Sequence, residues 1–242
     1  MPILLVHGAA HDENCWNELV PELEKHDLEI HTLTLRGHGA NKKYGYHVSM
    51  KTYAVDVCKK AREIGQPCVV VGHSMGGMVI TAAAQARPEL FKQMVYLTAF
   101  APPKSRTRLA LYAKELAKLC PEHITPEPKL DFFNGTSSYD ANTSIDMFYN
   151  QCCGDLQALV ERNICPQPIR PFLSPVSWSE KHLGAIPKDY IECTQDNALP
   201  IKIQRAMQEN MTFNRVETLD SDHSPFTSMP DQLASVIAKL II

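Results

Sequence analysis

The stretch Cys68-Val-Val-Val-Gly-His-Ser-Met-Gly-Gly-Met-Val-Ile-Thr-Ala-Ala-Ala-Gln-Ala86 decides the fold. Its first third is a β-branched run of the kind buried on both faces of a parallel sheet. Its middle is a glycine-lined turn with Ser74 at the apex, and the rest is a helix of small residues. A strand that turns directly into a helix strains its apical residue and lifts that side chain clear of the sheet, which requires small flanking residues. Gly72 and Gly76 supply them. The same turn sets Ser74 at a helix N-terminus, where unpaired N–H groups and the helix dipole favour negative charge on a reacting oxygen. Ser74 is therefore a candidate nucleophile, and the Met75 N–H a candidate oxyanion donor.

Upstream of this stretch, Ile3-Leu-Leu-Val6 reads as a buried strand entering the tight loop His7-Gly8-Ala9-Ala10. The apolar spacing of Trp16, Leu19, Val20 and Leu23 predicts a helix over 16–25. Residues 30–35 alternate as a strand, and 50–64 form an amphipathic helix ending near Gly65. Downstream, 94–97 is another short strand. Strands alternating with helices imply a doubly wound, mainly parallel α/β sheet with its site at the carboxyl ends of the strands.

After Ala101-Pro102-Pro103 the alternation stops. From 103 to 183 there are helical patterns at 108–119, 145–151 and 155–163 but no core strand, so this segment reads as a helical cap inserted into a core made of 1–102 and 184–242. Its aromatic residues can wall an apolar pocket over Ser74. Gly8, Phe100, Tyr112, Phe148 and Trp178 are the candidate substrate contacts, although any single cap aromatic is as easily a packing residue.

The sheet resumes at 189–193, followed by a loop with Asp196, a helix over 200–210, a strand over 215–219, the loop Asp220-Ser-Asp-His-Ser-Pro225, and a terminal helix from Pro230. A serine hydroxyl needs a neutral imidazole to take its proton and a carboxylate to orient that imidazole. The chain offers Ser74, Asp196 and His223 in the order found when this constellation is built on a doubly wound sheet. Asp220 and Asp222 are too close to His223 in sequence to fold back easily onto its ring, so Asp196 is the preferred acid.

Composition narrows the partners. With 24 basic and 27 acidic residues in 242, the chain has no charge excess suited to nucleic acid or an anionic membrane. It contains no apolar run long enough to span a bilayer and no leader pattern at its N-terminus, so a cytoplasmic protein acting on a small molecule is expected. The eight cysteines make no Cys-x-x-Cys pair and no zinc spacing, so neither a metal nor a cofactor is expected. The oligomeric state is not legible, and a homodimer is compatible with the sequence.

Over nearly its whole length the chain resembles the α/β-hydrolase superfamily. The resemblance is carried by His7-Gly-Ala9, Trp16, Gly72-His-Ser-Met-Gly-Gly77, Tyr96-Leu-Thr-Ala-Phe100, Tyr190-Ile-Glu-Cys-Thr-Gln-Asp196 and Asp222-His-Ser-Pro-Phe226. Within that superfamily it is similar to the small carboxylesterases related to plant methyl esterases, hydroxynitrile lyases and bacterial pyrethroid-type esterases. The resemblance implies that the Ala9 N–H is a second oxyanion donor beside Met75. It also implies an ester hydrolase rather than a lyase, because the lyases carry a threonine where this chain has Gly8 and a lysine where it has Ser224. A small-molecule receptor that retains the triad is the alternative from a different class.

Overall fold

The computed structural model describes residues 1–39 and 45–241. In chain order it begins with β1 (Pro2–Val6), a 3₁₀ turn (Glu13–Trp16), α1 (Leu19–Glu24), β2 (Glu29–Leu33), α2 (Met50–Ile64), β3 (Cys68–His73), α3 (Gly76–Ala86) and β4 (Phe91–Leu97). A long excursion follows, with β5 (Thr107–Arg108), α4 (Leu109–Ala117), β6 (Lys129–Asp131), β7 (Thr136–Ser138), α5 (Ala141–Phe148), α6 (Leu156–Asn163), β8 (Gln167–Pro168), α7 (Arg170–Leu173) and β9 (Pro175–Val176). The chain returns through β10 (Lys188–Cys193), α8 (Ile201–Gln208), β11 (Arg215–Leu219), α9 (Pro225–Ser228) and α10 (Pro230–Ile241).

Six strands form one sheet in the order β11-β10-β4-β3-β1-β2, and every pairing is parallel. Residue alternation along each strand sorts the core into two layers. Leu4, Val6, Val70, Met94, Tyr96 and Tyr190 pack under α2, α3 and α8. Ile3, Leu5, Val69, Val71, Val95 and Ile191 pack against α1 and α10. Both faces are therefore covered, and this explains why β1, β3 and β10 are buried at every residue and why β1 and most of β3 read as continuous apolar runs. Truncating one of these side chains, as in Leu4→Ala, removes burial that a relaxed core cannot recover and costs about 2–5 kcal/mol.

The sheet winds outward in both directions from the neighbouring strands β1 and β3, which pair Val6 with Gly72. Their carboxyl ends meet at the point where the order reverses, and this is where parallel sheets open a crevice. Local chemistry fixes the flanking elements. Ser49 and Thr52 form a reciprocal capping box at the start of α2, and Gly65 ends that helix with φ of 82°.

Three expectations need correction. The helix expected over 16–25 is split into the 3₁₀ turn and the six-residue α1. The inserted segment is also not purely helical. It holds a three-stranded sheet, β6-β7-β8, and an antiparallel pair, β5 with β9. These strands are two or three residues long, and β6 is exposed at every residue, so none shows an apolar alternation that sequence reading can detect. Similarly, α5 begins at Ala141 rather than near Ile145 because the Asp140 side chain caps it by accepting from the Thr143 N–H.

Candidate active site

Ser74 stands between β3 and α3 with φ of 52°, a left-handed conformation that a side chain adopts only under constraint. The constraint is visible in the hydrogen bonds around it. Its N–H donates to Leu97 O at 3.3 Å, and its carbonyl accepts from the N–H groups of Gly77 and Phe100 at 3.1 and 3.0 Å. The elbow also needs its glycines for close approach. A Cβ on Gly72 would lie 2.8 Å from the Gly76 carbonyl oxygen, and one on Gly76 would lie 2.7 Å from Val6 O. Among the described residues, four non-glycine residues have positive φ, and three of them, Ala10, Ser74 and Thr98, follow β1, β3 and β4. Backbone strain is thus concentrated at the carboxyl edge of the sheet.

His223 lies between β11 and α9, and Asp196 lies after β10. The His223 Nδ1–H donates to Asp196 Oδ2 at 2.7 Å, with both side chains buried. That bond assigns the tautomer and leaves Nε2 as the proton acceptor. Asp196 is itself fully held. Its Oδ1 accepts from the N–H groups of Ala198 and Leu199 at 2.8 and 2.7 Å, and Oδ2 also accepts from the Thr98 hydroxyl at 2.5 Å. Thr98 is therefore a positioning residue that sequence reading missed. The segment after β4 carries no carboxylate of its own, and it supplies instead the hydroxyl that braces the carboxylate on the loop after β10.

The competing acids are occupied elsewhere. Asp220 accepts from the Thr194 hydroxyl and the Gln195 amide at the surface. Asp222 is fully buried and ties the His223 loop to the inserted segment. It accepts from Ser224 N–H and the Ser228 hydroxyl on one oxygen, and from Gln151 N–H on the other. His73, adjacent to Ser74 in sequence, turns away and donates from Nε2 to the His223 carbonyl at 2.8 Å. Burial, reinforced by the neighbouring His223, keeps the His73 pKa well below the ordinary value, so the ring is neutral and acts as a strut.

Ser74 and His223 face one cavity of about 360 Å³. Its wall is largely apolar and includes Ala110, Ala113 and Ala117 from one side of α4, with Met147, Phe172 and Ile203. Among the described residues no Lys, Arg, Asp or Glu lines it. Phe100 and Phe148 are on the wall as expected, and the Phe148 ring centroid is 5.6 Å from that of His223. Ala9 is also on the wall, in the loop after β1, while Met75 is buried as the N-cap of α3. Among the described residues neither the Ala9 nor the Met75 N–H has a hydrogen-bond acceptor.

Three expected contacts are not on the wall. Gly8 lies against the elbow, where an added Cβ would be 2.8 Å from Ser74 Cβ, so its role is close packing. Tyr112 directs its hydroxyl to Ala101 O and the Asn210 amide, and packs beside Phe100. Trp178 is buried, donates to Pro102 O at 2.9 Å and carries Lys104 over its ring, which fastens the excursion to the core. Conversely, the alanine face of α4 carries no chemical signal and was not anticipated.

Comparison with known proteins identifies the family to which this fold belongs. The model of the Alpha/beta hydrolase family matches residues 3–236. A pyrethroid hydrolase of Sphingobium wenxiniae is 30% identical over 244 residues, covering 98% of this chain and 86% of that protein. The putative methylesterase 11, chloroplastic, of Arabidopsis thaliana is 25% identical over 249 residues, and the chain spans 63% of its length. The crystal structure of a pyrethroid hydrolase from Sphingobium faniae JZ-2 superposes with a TM-score of 0.83 at 27% identity, covering 99% of this chain and 96% of that one. With its six parallel strands and a strained serine at the turn from β3 into α3, this chain belongs to the alpha/beta hydrolase family.

Proposed function

We propose that this protein is a serine carboxylic-ester hydrolase acting on small, neutral, largely apolar esters. The observation that carries this reading is the Asp196–His223 pair opening, with the strained Ser74, onto one uncharged cavity. Ser74 Oγ attacks the ester carbonyl carbon as His223 Nε2 takes its proton. Asp196 holds the ring and stabilises the imidazolium, and the alkoxide of the tetrahedral intermediate accepts from the N–H groups of Ala9 and Met75. Collapse expels the alcohol, which leaves with the proton from His223. A water molecule then attacks the acyl-enzyme by the same route and releases the acid.

The cavity supports the substrate class on two grounds. A cavity of about 150 Å³ holds one benzene ring, so 360 Å³ accommodates an acyl and an alcohol group of about ring size together. Its walls offer no charge to an ionic substrate. The same absence weighs against cyanohydrin cleavage, which needs a cation beside His223 for the departing cyanide, since Lys181 and His182 lie on the turn Glu180–Gly184 and not on the wall. In this reading residues 103–183 form the cap and 1–102 with 184–242 the core. The deciding experiment treats the purified protein with an aryl phosphonate and assays a panel of methyl and aryl esters. Labelling confined to Ser74, with turnover of the neutral esters, is the expected result. Tight ligand binding without turnover would establish a receptor instead.

A further inference from the structure

The loop after β1 that presents Ala9 is fastened to the inserted segment. Ala10 N–H donates to Gln167 Oε1 at 3.0 Å, and Ala10 O accepts from Cys165 N–H at 2.8 Å. His11 bridges antiparallel to Ile164, and Cys165 Sγ donates to His11 O. Within the loop, the His11 Nδ1–H donates to Ala9 O at 2.8 Å. Residues 164–167 therefore run beside 9–11 as a short ladder, although more than 150 positions separate them.

Gln167 is the side chain at the end of that ladder, and it is 4% exposed. The Ala10 N–H can only donate, so the atom it meets is the amide oxygen, and this settles the orientation of the side chain. The same oxygen faces His38 Nε2 at 2.9 Å, so that ring carries its proton on Nε2. The Gln167 amide nitrogen donates one N–H to Pro168 O at 2.8 Å, so both ends of the amide are engaged. Although Gln167 also lines the cavity wall, its oxygen is given over to Ala10 and His38. Ala10 has φ of 58°, so the backbone next to Ala9 is held in a conformation it would leave if released.

We propose that Gln167 is a positioning residue that holds the Ala9 N–H in line with the developing oxyanion, making the cap part of the catalytic apparatus as well as the wall of the pocket. This inference rests on the ester-hydrolase reading above. An oxyanion donor acts through placement relative to the transition state, not the ground-state carbonyl. Loosening the loop must therefore appear in kcat and in the affinity for tetrahedral mimics, with ground-state binding preserved.

The test compares Gln167→Met, which keeps the shape and removes the acceptor, with Gln167→Glu, which in its protonated form keeps the acceptor and a donor toward Pro168 O. Three quantities are read: kcat, KM, and binding of an arylalkyl boronic acid beside that of an unreactive ether analogue of the same ester. Loss of a whole oxyanion donor costs about 10²–10³ in kcat, so its misplacement is expected to cost about 10- to 100-fold in Gln167→Met. Boronate affinity should weaken by a comparable factor while KM and ether binding stay within about threefold, and Gln167→Glu should recover most of the loss below the pH at which it ionises. If Gln167→Met does not fold, Gln167→Asn, whose acceptor is withdrawn by one methylene, serves the same comparison. Unchanged kcat in the acceptor-deficient variant, or equal weakening of boronate and ether, overturns the proposal. A wild-type protein that neither turns over esters nor binds the boronate overturns the hydrolase reading instead.

Discussion

The two sides of the cavity are built by opposite means. Toward the sheet, every reactive group sits in a loop leaving a strand of the parallel sheet, and the strands that carry Ser74 and Asp196 are buried at every residue. Toward the cap, the wall comes from α4, α5 and short strands whose residues are largely half-exposed or exposed. Catalysis depends on placement to about 0.5 Å, which a packed sheet provides. A pocket wall needs only volume and polarity, which short elements supply adequately. Substitutions on the sheet side, and at Gln167 where the cap grips the loop after β1, should therefore lower turnover of every ester alike, whereas substitutions elsewhere on the cap wall should redistribute turnover among esters.

The largest test of that division is Ser74→Ala, which should lower kcat by about 10⁴-fold or more for all esters. A variant that keeps a substantial fraction of activity on any one ester would place the nucleophile elsewhere. Next is the acid. Asp196→Asn should cost on the order of 10⁴-fold by presenting the wrong imidazole tautomer, whereas Asp220→Asn, at the surface with Thr194 and Gln195, should leave kcat unchanged. Steady-state kinetics on both variants check the assignment, and a reversal of the two effects defeats it.

On the cap side, Ala113→Phe fills the cavity from α4 without touching the sheet. Each methylene excluded from an apolar pocket is worth about 1–3 kcal/mol. Turnover of the bulkiest ester that the wild type accepts should therefore fall by about 10- to 100-fold in kcat/KM, with acetate esters nearly unaffected. A uniform loss across the series would show that α4 is part of the positioning apparatus and erase the distinction drawn above. Thr98→Val tests the sheet side more gently. It removes only the hydroxyl that braces Asp196, leaving that carboxylate with His223 and two backbone N–H groups. A neighbour of this kind is worth about tenfold in kcat, with KM unchanged. Unaltered kcat would make Thr98 a packing residue.

What the sequence revealed follows the same boundary. The glycine-lined turn around Ser74, the boundaries of α2 and the positions of Asp196 and His223 were legible because each leaves a local mark: a β-branched run, a cap residue, a polar residue just past a strand. The wall was not legible. Tyr112 and Trp178 look like pocket aromatics in sequence but spend their polar atoms on Asn210, Ala101 and Pro102. Ala110, Ala113 and Ala117 shape the cavity by being small, which no local pattern announces. Thr98 and Gln167 act through partners 98 and 157 positions away, so only the folded chain shows what they hold.

The last prediction concerns the loops along the seam between the two regions, where four histidines are buried and two of them, His11 and His38, bond across it to Tyr149 and Gln167. His7 donates to Gly8 O, His11 to Ala9 O, His38 to Gln167 and His73 to the His223 carbonyl, and all four are 0% exposed. Burial is the main cause lowering the pKa of each, and His11 falls to about 4. In the unfolded chain each titrates near 6.5. Between those values the unfolded state binds more protons than the folded one, so stability is fully present above about pH 6.5 and is lost as pH falls toward each folded value. For His11 alone the loss approaches about 3 kcal/mol near pH 4, and the other three act with the same sign. Urea unfolding midpoints should therefore be level from pH 8 to 7 and decline below 6.5. His11→Gln, which cannot take up a proton, should flatten part of that decline. A midpoint that stays constant down to pH 5 would mean that these rings take up protons without opening the seam, and the two regions would then be less tightly joined than the hydrogen bonds across it imply.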